Sequence, residues 1–213
     1  MTEVEWLTCG DPERMLEFLR DEESSRKLRL FGCATCRRIW HLFTMEESRA
    51  CVETAERYAD GQANPSQLSA AAQRAMNFPW RVVSEEYLTA EAAAETAFSP
   101  DSDSVAHHVS VVAVNTSLAA NENEERVAQS SLLRDIFGNP FRPVALDPAW
   151  LTSTVIALAE GIYQDRAFER LPILADALQD TGCDSDDILT HCRDTALTHV
   201  RGCWVIDLLT GRK

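Results

Sequence analysis

The chain has 213 residues, 45% hydrophobic and 25% charged, and this composition predicts a globular protein with a substantial core, not a disordered one. Its formal net charge of −14 repels nucleic acids and anionic membrane surfaces, so neither is expected as a partner. No run of about 18 apolar residues is present and the first residues lack a signal-peptide pattern, so we predict no membrane span and a cytoplasmic location.

The first part of the chain reads as a succession of helices. Thr2 and Glu5 have the spacing of a capping box before a short helix, and Asp11-Pro12 supplies the N-cap and first position of a second helix. A longer helix is predicted over residues 25–43, where a broad apolar face indicates a central position. Further helices are predicted at Glu46–Ala59, from Asn64-Pro65 through Met76, and at Ser84–Phe98.

The segment Val105–Ala120 has two interpretations. The sequence VSVVAV, within residues 105–114, has the β-branched character of a strand. The Ala-rich flanks and a length of about 16 residues favour a helix, which we predict because no other segment resembles a strand that could pair with it. His107 and His108 lie here; as neighbours on a helix they point about 100° apart and cannot share a ligand directly.

The second part of the chain begins after a proline-rich stretch, residues 139–148. It holds three prolines and predicts a connector between an N-terminal helical region, 1–138, and a C-terminal one, 149–213. The apolar segment Cys203–Leu209 should dock into the core, because leaving its side chains in water would cost several kcal/mol. Helices are predicted near Leu151–Gln164, Arg170–Thr181, Ser185–Arg193 and Val200–Leu209.

These elements predict an all-α fold. We expect an irregular bundle of about nine to eleven helices, with the two regions packed together as one compact domain. The seven cysteines, an odd number in a chain without a secretion signal, argue against a disulfide framework. We expect most of these thiols to be reduced and to pack in the core as small apolar residues.

One grouping of cysteines and histidines near the C-terminus could hold structural zinc. It comprises Cys183, His191, Cys192, His199 and Cys203, and thiolate and imidazole are the usual ligands of tetrahedral zinc. His199 and Cys203 are four residues apart and would share a face of a helix. The spacing matches no common zinc module, and simple core packing of the thiols is the favoured alternative.

A second candidate metal grouping is Cys33, Cys36 and His41. The pattern Cys33-Ala-Thr-Cys36 lies about two turns inside a predicted helix, where the helix N-terminus cannot lower a thiol pKa. Cys33, Cys36 and Trp40 fall within about 60° on a helical wheel, which is typical of a core stripe, with His41 on its flank. Packing is therefore favoured over a metal or redox role.

No catalytic motif is present in the sequence. We find no nucleophile elbow, phosphate-binding loop or metalloprotease helix, so no catalytic or cofactor-binding residue is assigned. The favoured hypothesis is a non-enzymatic interaction or adaptor module whose partner is another protein. One alternative is the same module stabilised by zinc, and a further one is an enzyme that uses a Cys/His pair such as Cys203 with His199.

Three blocks of sequence carry a resemblance. The opening block contains RKLRLFGCATCRRIWHL, the middle one LLRDIFGNPFRPVALDPAWLT, and the closing one RLPILADALQDTGC, DILTHCR and HVRGCWVIDLLTG. Together they resemble a paralogous family of uncharacterised bacterial proteins, over half to two-thirds of the chain. The resemblance implies that both cysteine-bearing blocks belong to one type of protein, and it implies no activity, cofactor or catalytic residue.

Overall fold

The computed structural model describes residues 1–19, 25–77 and 122–212, and within these ranges the chain forms ten α-helices and no β-strand. The predicted all-α fold and the expected number of helices are thereby confirmed. The helices are α1 (Glu3–Thr8), α2 (Pro12–Leu19), α3 (Ser25–Arg38), α4 (Glu46–Ala59), α5 (Pro65–Met76), α6 (Glu122–Phe137), α7 (Ser153–Asp165), α8 (Leu171–Asp180), α9 (Asp186–Arg193) and α10 (Trp204–Thr210).

Some predictions fall on parts of the chain outside the described residues. These are the helices at Ser84–Phe98 and Val105–Ala120, including the pair His107 and His108. None of the helices within the described ranges combines the length and the apolar character that crossing a bilayer requires.

The predicted helix starts are present as hydrogen-bonded caps. The Thr2 N–H donates to Glu5 Oε2 at 2.7 Å and the Glu5 N–H donates to Thr2 Oγ1 at 3.3 Å, which completes the capping box. Asp11 Oδ1 accepts the Glu13 N–H at 3.0 Å. Asn64 forms a second capping box with its third helical residue, ahead of the proline that opens α5.

The helix predicted over residues 25–43 is shorter than expected. It ends at Arg38, and a 3₁₀ turn over Trp40–Leu42 replaces its last turn. A 3₁₀ turn eclipses side chains three residues apart, and here it stacks the Trp40 ring on the Phe43 ring at 5.4 Å. The change from α-helix to 3₁₀ turn thus brings two aromatic side chains into contact at the end of α3.

The described helices fall into two compact units. Unit 1 comprises Thr8–Ser130, and in it α4 packs against both α3 and α5. Its core is built largely from small side chains, cysteine and alanine among them, which allow the helices to approach closely. A bidentate ion pair joins α3 to α4, with Arg37 Nε and Nη2 donating to the two oxygens of the buried Glu56 at 2.6 and 2.8 Å.

Unit 2 comprises Thr2–Leu7 together with the chain from Ser131 onward. Helix α7 packs against α8 and α10, and α8 packs against α9. Helix α1 joins this unit through the Trp6 indole, which donates to Gly138 O at 2.9 Å, and through Arg134 Nε, which donates to Trp6 O at 3.0 Å. Val205, Ile206 and Leu209 of α10 are buried, so the predicted docking of the closing segment is confirmed.

Two isoleucines of unit 2 provide a matched test of this core. Ile206 is fully buried and Ile173 is 56% exposed. We expect Ile206→Ala to lower the free energy of unfolding by about 2–5 kcal/mol, because it removes buried methylene groups and leaves a cavity. Ile173→Ala should change it by less than about 0.5 kcal/mol. Urea unfolding followed by circular dichroism measures both, and equal effects would show that α10 is not part of the core.

Candidate metal centre

Four side chains that can bind a metal converge inside unit 2: Asp135, His191, His199 and Cys203. One ligand atom of each lies within 4.8 Å of the other three. His191 Nε2 is 3.2 Å from both Cys203 Sγ and Asp135 Oδ1, and His199 Nδ1 is 2.6 Å from the same carboxylate oxygen. Tetrahedral zinc, with bonds of about 2.0–2.3 Å, places its ligand atoms about 3.3–3.6 Å apart, so shifts of roughly 1 Å would complete such a tetrahedron.

Each of the four side chains is supplied by a different stretch of the chain. Asp135 lies on the inward face of α6, and His191 lies in the last turn of α9, which starts after its N-cap residue Ser185. His199 belongs to the non-helical segment between α9 and α10, and Cys203 is the residue immediately before α10. The cluster therefore joins two helices, the start of a third and the irregular segment that links them.

The cluster is almost closed to water. The side chains of Asp135, His199 and His191 are 2%, 7% and 10% exposed, and Cys203 is fully buried. Burial alone would raise the pKa of Asp135, but hydrogen bonds from His191 and His199 outweigh it and hold that pKa below its ordinary value. Asp135 Oδ2 also accepts the Val200 N–H at 2.9 Å, so both oxygens of this buried carboxylate are satisfied.

The thiol of Cys203 is in an environment that suppresses its ionisation in the absence of a cation. Burial raises its pKa well above the ordinary value, and the nearby Asp135 carboxylate and Cys192 raise it further. A bound metal ion inverts this situation, because a coordinating thiol is deprotonated outright. The same pocket thus disfavours a bare thiolate and is suited to a metal-bound one.

Of the five C-terminal residues considered as ligands from the sequence, the structure brings three together: His191, His199 and Cys203. Cys183 and Cys192 are 4% and 1% exposed and belong to the hydrophobic core of unit 2. They are not among the residues whose ligand atoms converge within the described part of the chain.

Asp135 completes the group and was not identified from the sequence. Leu132, Leu133 and Ile136 around it are all buried, so this acid lies on the buried side of the helix. A charged residue on an inward face requires a buried partner. That position in LLRDIFGNPF is the signal in the sequence that could have pointed to it.

The reason given from the sequence for pairing His199 with Cys203 is wrong. A helix was expected from Val200, yet α10 begins at Trp204 and the preceding residues are not helical. Gly202 has a φ of +91°, in the left-handed region that interrupts a helix. The two side chains approach the same point because the chain turns there.

His191 does not have the geometry of a base that activates a nucleophile. Such a histidine uses one ring nitrogen for the nucleophile and the other for the orienting acid. In this site, His191 approaches both Cys203 and Asp135 through the same atom, Nε2. His191 therefore does not link the thiol to the carboxylate through its two ring nitrogens, and its Nε2 lies among the ligand atoms that surround a common point.

The second grouping considered from the sequence is dispersed. Cys33 and Cys36 are buried on α3, whereas His41 is exposed in the 3₁₀ turn that follows. The Cys33 thiol faces Val52 O at 3.8 Å. Burial raises the pKa of Cys33 and Cys36 and brings that of Cys51 to about 12. These thiols fill the core of unit 1.

Comparison of the chain with protein-family models, with curated proteins and with solved structures finds no match. The resemblance to a bacterial paralogous family therefore stays a prediction, and function has to be inferred from the site itself.

Burial predicts a clear order of thiol reactivity. Cys9 is half-buried and the other six cysteines are buried. In the native protein we expect iodoacetamide to modify Cys9 at least about tenfold faster than Cys203, because alkylation requires an accessible thiolate. Peptide mapping by mass spectrometry after timed quenching measures both rates. Preferential labelling of Cys203 would instead favour the hypothesis of an enzyme with a Cys/His pair.

Proposed function

We propose that unit 2 is a zinc-stabilised helical module with a non-enzymatic role in binding another protein. The observation that carries the metal assignment is the convergence of Asp135, His191, His199 and Cys203 on one point. The role of the ion is to hold the fold together, and the binding role belongs to the surface that the fold presents.

The chemistry of the four side chains favours zinc. A thiolate, two imidazoles and a carboxylate are all established zinc ligands, and a tetrahedral arrangement of sulfur and nitrogen donors is typical of this ion. Other divalent first-row ions can occupy such a donor set, but octahedral oxygen-preferring ions such as Mg²⁺ do not match it.

The number of ligands favours a structural ion. Catalytic zinc keeps one position for water or substrate, whereas structural zinc is bound by four protein side chains. Asp135, His191, His199 and Cys203 would fill all four positions, and none of these side chains is more than 10% exposed. A closed, dry ligand set of this kind supports a role in stability.

Metal binding would stabilise the segment between α9 and α10 more than any other part of unit 2. This segment contains no helix, and its residues 194–198 are exposed, so few buried contacts hold it in place. An ion bound to His191 before the segment, to His199 within it and to Cys203 at its end would fix its path. In small metal-dependent units the free energy of metal binding becomes free energy of folding.

Purified protein that has not been exposed to added zinc tests the metal assignment directly. We expect elemental analysis to find one equivalent of zinc per chain and Cys203→Ser to reduce it to below about a tenth of that, since a thiolate ligand is lost. Cys192→Ser is the matched control, because Cys192 is also buried in the core of unit 2 but is not part of the cluster. This variant should retain its zinc.

Cobalt substitution provides a second readout of the same assignment. The cobalt-loaded protein should show the visible bands of a tetrahedral ion and one thiolate-to-metal charge-transfer band, which Cys203→Ser abolishes and Cys192→Ser preserves. A protein that contains no stoichiometric metal and takes up none would overturn the proposal, and equal loss of metal in both serine variants would remove Cys203 from the ligand set.

A further inference from the structure

A groove with a volume of about 420 Å³ opens on unit 2 beside the candidate metal centre. The aromatic side chains of Trp6, Phe137 and Trp204 contribute to its lining; the first two are buried and Trp204 is half-buried. Leu7 and Leu197 also line it and are 52% and 37% exposed. Exposed leucines around an aromatic depression are typical of a surface that binds an apolar side chain.

The charges along this groove favour a cationic ligand. Asp186, Asp187 and Asp194 line it and are exposed. Its two arginines are already engaged inside the unit: Arg142 forms an ion pair with Glu3, and Arg134 donates to the carbonyl of Trp6. The chain as a whole carries a net charge of −14, so its long-range electrostatic field attracts positively charged partners, as the aspartates of the groove do.

We propose that this groove binds a cationic amphipathic peptide segment of another protein, and that binding requires the metal centre to be occupied. An apolar side chain of the segment would lie against Trp204 and Leu197, and lysine or arginine side chains would face Asp186 and Asp187. This inference rests on the proposed function for its dependence on metal, and it names the class of partner.

The metal centre and the groove share residues. His191 is both a candidate ligand and part of the groove lining. Its ring lies 5.2 Å from the ring of Trp204, which directly follows the candidate ligand Cys203. Leu197 stands two residues before the candidate ligand His199. An ion that positions His191, His199 and Cys203 therefore also positions two apolar side chains of the groove.

Gly138 shows how closely this side of the groove is packed. A Cβ atom added to Gly138 would lie 3.1 Å from Trp204 Cγ, and its φ of +68° is one that side chains rarely adopt. The glycine permits the indole of Trp204 to lie against the end of α6. This wall of the groove is therefore formed by close packing of Trp204 against Gly138.

The test uses the zinc-loaded 213-residue chain and a fluorescein-labelled peptide of leucine and lysine in amphipathic order, with binding followed by fluorescence anisotropy. The comparison peptide has glutamate in place of every lysine. The groove variant is D186K/D187K. The matched control is D180K/D184K, which makes the same change in net charge at two exposed aspartates of unit 2 that do not line the groove. Zinc content and thermal unfolding of each variant establish that it is folded.

The expected result is that the lysine peptide binds, that the glutamate peptide does not, and that D186K/D187K weakens binding at least about tenfold while D180K/D184K has a much smaller effect. Equal weakening by the two variants would mean non-specific attraction to an acidic surface and would overturn the inference. Absence of binding, or binding of both peptides, would overturn it as well.

The dependence on metal is tested with Cys203→Ser and with the chelated wild-type chain. We expect peptide binding to fall in proportion to the zinc that each sample retains. Binding that persists undiminished without zinc overturns the coupling. A chain that carries zinc but fails the peptide test overturns this inference alone, whereas a chain that carries no zinc overturns the proposed function, so the two failures are distinguishable.

Discussion

The buried carboxylate of Asp135 is the constraint on which unit 2 depends. An ionised carboxylate that is 2% exposed and unpaired would be very costly, and a group in that position must be paired and hydrogen-bonded. His191, His199 and the Val200 N–H provide that compensation. Because these partners come from α9 and from the segment after it, the hydrogen bonds of one acid tie α9 and that segment to α6.

A metal ion would stabilise the same arrangement of side chains without requiring a different fold of unit 2. The Asp135, His191, His199 and Cys203 side chains already surround one point, and a divalent cation at that point would neutralise the carboxylate and the thiolate together. Such a cation would also give the Cys203 thiol a role. Without a cation, the Asp135 carboxylate raises the pKa of the Cys203 thiol and so opposes its ionisation. With a cation between them, the carboxylate and the thiolate would both act as ligands of the same ion.

Local features of the fold were predictable from the sequence because they depend on residues close together in the chain. The capping box of Thr2 with Glu5, the Asp11-Pro12 start and the apolar face of α10 each rest on a few adjacent residues. The partners of Asp135 were not predictable in this way, since its contact with His199 spans 64 residues. The prediction of a helix that joins His199 to Cys203 was wrong for a local reason, because the backbone of Gly202 adopts a left-handed conformation.

The cysteines show why residue type alone could not locate the site. Cys36 in unit 1 and Cys203 in unit 2 are both fully buried, and both have a raised thiol pKa. Their surroundings differ: Cys36 packs among apolar side chains, whereas Cys203 lies within 3.2 Å of an imidazole nitrogen. The expectation that sulfur mostly fills the core holds for Cys36 and for Cys192, whereas Cys203 also contacts a histidine and lies beside a buried carboxylate.

The path of the chain has a consequence for the order in which the protein is made. Residues 2–7 belong to unit 2, and the indole of Trp6 has to find a carbonyl 132 positions further along. Chains are synthesised from the N-terminus at a limited rate, and segments fold as their partners become available. The first helix therefore cannot complete this contact until all of unit 1 and Gly138 have been synthesised.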